Sequence, residues 1–70
     1  MTIKGFQFIG PQSDDTYALV NDAGRIRRFR SHEEVDAIAN YLHAEGVDCF
    51  VEPYRDGRSL MIVTYAEAKS

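Results

Sequence analysis

The stretch Tyr54-Arg55-Asp56-Gly57-Arg58-Ser59 constrains this chain more than any other. It separates two runs rich in β-formers, residues 47–54 and 59–65. Asp-Gly is the preferred centre of a two-residue hairpin turn, because glycine accepts the positive φ such a turn demands. With that turn as pivot, Val51 faces Ile62, Cys49 faces Thr64, Phe50 faces Val63 and Glu52 faces Met61. Successive strand residues point to opposite sides. One side therefore holds Val47, Cys49, Val51, Leu60 and Ile62. The other holds Phe50, Tyr54, Met61, Val63 and Tyr65 around Glu52. Both sides of this hairpin are apolar.

Upstream, residues 3–9 alternate through Phe6 and Phe8, which is strand periodicity. Gly10-Pro11 breaks the run, and residues 12–15 read as a polar loop. Residues 16–20 form a second strand. Asp22-Ala23-Gly24 predicts a short hairpin loop, with residues 25–29 as the return strand. In that register Tyr17 opposes Phe29, Leu19 opposes Arg27, Val20 opposes Ile26 and Ala18 opposes Arg28.

Ser31 opens a helix. Ser31-x-x-Glu34 is a capping box, and Glu33, Glu34 and Asp36 sit where the helix dipole favours negative charge. Val35, Ile38, Ala39 and Leu42 follow the i, i+3, i+4, i+7 rule and make one apolar stripe. Gly46 is placed to end the helix as a left-handed cap. The order is β-β-β-α-β-β. It predicts an α+β fold of two layers, an antiparallel sheet of about five strands with one amphipathic helix on one face.

A chain of 70 residues bounds a single compact domain, residues 1–70, whose core is small. Small folds need a staple such as disulfides, a metal or a partner chain. The single cysteine, Cys49, has no internal mate, and no Cys/His cluster offers a zinc site. Oligomerisation or partner binding is left, together with an unusually well-made core. No apolar run approaches a membrane span, residues 1–10 lack a signal peptide's long apolar stretch, and a lone thiol fits a reducing compartment. The expectation is a cytoplasmic protein with no membrane partner.

A single helix covers one face of such a sheet. An antiparallel sheet with one wet face alternates apolar-in and polar-out. Neither hairpin here does so. Large exposed apolar patches mark contact sites, so the uncovered face is expected to meet a protein partner, identical or different. The alternative is that loops and the N-terminal strand fold over it.

The run "RIRRFR", residues 25–30, puts Arg25, Arg27, Arg28 and Arg30 in a chain of net charge −3. Three readings stand side by side. A basic strip with interleaved aromatics suits phosphate contact and base stacking, although an overall acidic chain is unlike a dedicated nucleic-acid binder. Arginines on a strand also lay their stems over apolar neighbours and guard an edge, with Glu52 and the acidic helix start as counter-charges. Arginine with aromatics equally fits an interface. The candidate partner-binding set is Arg28, Arg30, Phe50, Glu52, Met61 and Tyr65. A second candidate set is acidic: Asp14, Asp15, Glu33, Glu34 and Asp36, if loop and helix start meet at one end.

Catalytic patterns are not evident. His32 and His43 lie about 16 Å apart along the helix and cannot share a metal. A mid-strand Cys49 between apolar neighbours is inert, and its pairing with His43 lacks an orienting third group. The expectation is no enzyme, no cofactor and no metal. Tyr41, flanked on the helix surface by Ala37 and Ala44, lies off the core stripe and is a further point where another surface can approach.

In size, strand–helix order and acid balance, the chain resembles the small phage-encoded anti-CRISPR proteins. The likeness rests on five strands around one helix at "SHEEVDAIANYLHAEG" and on the acidic groups just named. The resemblance implies a stoichiometric inhibitor acting in the host cytoplasm. It would dock on a CRISPR effector complex and block recognition of target DNA or of its protospacer-adjacent motif. The arginine run departs from a pure DNA mimic. The alternative function is a small nucleic-acid-binding accessory protein using residues 25–30.

Overall fold

The computed structural model describes residues 2–12 and 14–65; the rest of the expected 1–70 domain, residues 1, 13 and 66–70, lies outside the described residues. Five strands and one helix follow the expected order: β1 (Thr2–Ile3), β2 (Phe6–Ile9), β3 (Thr16–Leu19), α1 (His32–Ala44), β4 (Cys49–Pro53) and β5 (Leu60–Tyr65). They form one sheet in the order β1-β2-β3-β5-β4, antiparallel throughout. The fold is α+β, with α1 packed against β4 and β5.

The strands are not all where periodicity places them. Residues 3–9 do not run as one strand. Lys4 and Gly5 both take positive φ, 51° and 87°, and fold β1 back on β2 with Ile3 opposite Phe6. Two consecutive positive φ values are the requirement of a tight hairpin turn, and Gly5 meets the second without cost. Residues 25–29 form no strand either. Val20 bridges Ile26, and Phe29 bridges Leu60. The segment changes partner from the end of β3 to the start of β5 within three residues, so it wedges between the two and never builds a ladder.

The β4–β5 register is the expected one, from Cys49 opposite Thr64 to Glu52 opposite Met61. Its turn is different in kind. Gly57 alone is left-handed, at φ 71°, and its amide donates to the Tyr54 carbonyl at 3.0 Å. The Tyr54 amide bonds the Ser59 carbonyl at 2.8 Å, which closes a four-residue loop. Asp56 supplies acceptors from its side chain, at 2.9 Å to the Arg58 amide and 3.0 Å to the Ser59 amide. A side-chain acceptor of this kind stands in for backbone turn bonds.

Helix α1 is capped at both ends. Ser31 Oγ accepts from the amides of Glu33 and Glu34 at 3.2 and 3.4 Å. At the far end Gly46 sits at φ 85°, its amide bonding the His43 carbonyl while Val47 bonds Leu42. That pair of bonds satisfies carbonyls the helix leaves open. Val35, Ala39 and Leu42 are buried, as the stripe predicts, and Ile38 is half-buried.

The core lies between α1 and the inner face of the sheet. It unites Phe8, Leu19, Phe29, Val35, Ala39, Leu42, Val47, Cys49 and Ile62. Each fully buried large side chain contributes roughly 1.5–3 kcal/mol. Phe6 and Tyr41 meet ring to ring at 5.9 Å, and Lys4 pairs with Glu45 at 3.6 Å. Those two contacts fasten the β1–β2 hairpin to the helix, and they engage the Tyr41 ring within the molecule.

Candidate interaction surface

The strand registers place Ile9, Ala18, Val63 and Phe50 side by side across β2, β3, β5 and β4, on the face opposite α1. Ala18 and Val63, at the centre, are fully buried. Their bulky neighbours are not. Ile9 is 48 % exposed and Phe50 37 %, and Tyr65 beside them is 43 % exposed. Tyr65 closes edge-to-face on Phe50, with ring centroids 5.3 Å apart. Met61 and Glu52, opposite each other in the next outward row of β5 and β4, are half-buried. The outer face is therefore an apolar row with its large side chains at the surface. Four of the candidate partner residues, Phe50, Glu52, Met61 and Tyr65, come together on it. Ile9 belongs with them, and sequence reading missed it. Its place at the end of an alternating run was the available signal.

The remaining two candidates lie at one end of this face, around the β4–β5 loop. The Arg28 guanidinium stands 5.5 Å from the Tyr54 ring centre and 3.8 Å from the Asp56 carboxylate. Arg28, Arg25, Arg27, Asn21, Ile26 and Tyr54 line an open groove. Arg55 also approaches the Tyr54 ring, at 5.7 Å. Arg30 and Arg58 line a neighbouring groove with Asp56 and Ser59. All six arginines of the chain thus gather around Tyr54 and Asp56. Sequence reading found the four in residues 25–30 and passed over Arg55 and Arg58, which reach the same place only through the Phe29–Leu60 bridge.

Part of the arginine run works inside the molecule. Arg27 lies 5.0 Å over the ring of buried Phe29. Such cation–π contacts are worth about 0.5–1 kcal/mol at exposed sites. The ion pair of Arg28 is with Asp56, not with Glu52 or the helix start. Asp56 carries the most bonds here, accepting also from the Ser59 hydroxyl at 2.9 Å. Its carboxyl is held below the ordinary carboxylate range, first by the Arg58 and Ser59 amides and less by Arg28.

The acidic candidates do not form one cluster. Asp14 and Asp15 precede Thr16, which pairs with Tyr65 at one end of β5. Glu33, Glu34 and Asp36 follow Phe29, which pairs with Leu60 at the other end. Five residues of strand, about 17 Å, separate those ends. Asp14 accepts from the Thr16 hydroxyl at 2.6 Å, and that bond holds its carboxyl below the ordinary range. Gly10 permits this loop, because a Cβ there would lie 2.8 Å from the Thr16 carbonyl oxygen.

His43 and Cys49 are neighbours without a catalytic geometry. His43 Nε2 bonds the Cys49 backbone carbonyl at 2.8 Å and so ties the helix end to β4. The Cys49 thiol is buried, donates weakly to the Ala39 carbonyl at 4.0 Å, and is pushed up in pKa by burial and then by Asp48. Among the described residues no group of three or more side chains is placed to hold a metal ion, and no helix is long and apolar enough to cross a membrane. The chain matches no protein family, no curated protein and no solved structure.

Proposed function

We propose that this chain is a non-enzymatic protein-binding module whose contact surface is the outer face of the sheet. One observation carries the reading: Ile9, Phe50 and Tyr65 stand exposed around buried Ala18 and Val63 on the sheet face that α1 cannot reach. Exposed aromatic side chains with arginines at the margin are enriched at contact surfaces. In its narrower form the proposal is a phage or mobile-element inhibitor that docks on a CRISPR effector complex and blocks target-DNA recognition. The support for that form is the likeness in size, element order and acidity to anti-CRISPR proteins.

A pull-down from a CRISPR-bearing bacterial lysate tests both forms. The wild-type chain is expected to capture an effector subunit, and the variant Ile9→Ser with Phe50→Ser and Tyr65→Ser is expected to lose it. Capture that excludes every effector subunit removes the narrow form. Capture undiminished in the variant removes the outer face as the contact surface.

A second reading, a nucleic-acid-binding accessory protein, is favoured by the gathering of six arginines around Tyr54 and Asp56. Phosphate contacts make such binding steeply salt-dependent. Labelled DNA measured at low and at physiological salt decides it: binding that falls sharply with salt supports the reading, and no binding at low salt ends it.

A further inference from the structure

We infer that the occupant of the outer face in the free protein is a second copy of the chain, packed face to face about a two-fold axis that reverses strand direction. The inference rests on the outer face being the contact surface and names its partner. The face has opposite charge at its two ends. Arg25, Arg28 and Arg55, all exposed, lie around Tyr54, where β4 leads into its loop. Asp14, Asp15 and Asp48, also exposed, lie at the other end, where Thr16 pairs with Tyr65 and β4 begins. Between them run the apolar row of Ile9, Val63 and Phe50, with Tyr65 against Phe50, and the adjoining row of Glu52 and Met61.

A surface of this kind is complementary to itself in one orientation. A two-fold axis lying in the face and along the strands would set arginines on arginines and carboxylates on carboxylates. An axis lying in the face and across the strands lays β4 over β4 with its direction reversed. Each arginine end then meets the partner's aspartate end, and the Phe50–Val63 row of each copy lies over the Glu52–Met61 row of the other. Two-fold interfaces join the same patch of both subunits, so one self-complementary patch is enough. Self-pairing also supplies the staple that a chain of this size with one buried cysteine lacks.

Analytical ultracentrifugation with paired charge reversals is the test. The wild type is expected to sediment at twice its 7.9 kDa chain mass at micromolar concentration. Phe50→Glu is expected to sediment at the single-chain mass with an unchanged circular dichroism spectrum. The variant Arg28→Glu with Arg55→Glu has two acidic ends, and Asp15→Arg with Asp48→Arg has two basic ends. Each alone is expected to be monomeric, and a 1:1 mixture is expected to restore the dimer. A wild type that stays monomeric at several hundred micromolar overturns the inference; the pull-down lost by the Ile9, Phe50 and Tyr65 variant would still support the outer face as a site for another protein. Dimers that survive Phe50→Glu overturn the choice of face. Charge-reversed variants that dimerise alone, or that fail to dimerise when mixed while each remains folded, overturn the orientation.

Discussion

Phe29 and Leu60 exchange both of their backbone hydrogen bonds, each at 2.8 Å, in a bridge that belongs to no strand. This one pairing brings the arginine segment to the β4–β5 loop, buries the Phe29 ring at 2 % exposure, and sets the point from which α1 departs. Phe29→Ala empties a core position and is expected to cost about 3–5 kcal/mol. Urea unfolding followed by circular dichroism measures it. A loss under 1 kcal/mol would mean that the bridge holds without its ring.

Asp56 organises the β4–β5 loop through its acceptors, and its carboxyl is held below the ordinary range. A depressed folded-state pKa gives stability that is present above the unfolded value, near 3.9, and lost as pH falls through the lower folded value. Acid titration is therefore expected to loosen this loop only below about pH 4. Amide shifts of Arg58 and Ser59 report it. Asp56→Asn keeps an acceptor and is expected to preserve those shifts, and Asp56→Ala is expected to move them. Equal shifts for both variants would contradict the role given to the side-chain oxygens.

The helix caps separate cleanly. Ser31→Ala removes the acceptor for two amides and is expected to cost about 1 kcal/mol. Gly46→Ala forces a side chain into φ 85° and is expected to cost about 1–2 kcal/mol. Thermal unfolding of the two single variants checks both values. No change in either would remove the caps from the account of why α1 starts and stops where it does.

Cys49 is buried and its thiol is pushed up in pKa. A raised folded-state value gives stability that is present below the ordinary thiol pKa and lost as pH rises through the folded one. Native protein at pH 8 is expected to react with iodoacetamide far more slowly than the urea-unfolded chain. Equal rates, read by mass spectrometry, would show that the β4–α1 contact opens freely.

The sequence made some of this legible, and the reason is locality. Asp56-Gly57 and the two flanking runs determine the β4–β5 register, and Ser31, the apolar stripe and Gly46 determine α1. Each signal lies within a few residues of the element it shapes. The Lys4-Gly5 turn escaped because the alternation of Phe6 and Phe8 begins directly after it and Ile3 reads as part of the same strand. The segment at residues 25–29 escaped because its partner switch depends on Leu60, thirty-one residues beyond Phe29 in the chain. Arg55 and Arg58 join the other arginines for the same reason, and the acidic groups separate because β5 stands between them. The apolar outer face was legible because parity within one hairpin is enough to reveal it.

Photo-crosslinking from position 50, with position 40 on the exposed side of α1 as control, tests the central claim most directly. A benzophenone side chain replacing Phe50 is expected to give a discrete protein adduct, either a second copy in the purified sample or another protein in lysate, and the same group replacing Asn40 is expected to give none. No adduct from position 50 under either condition would contradict the assignment of the outer sheet face as a protein-contact surface.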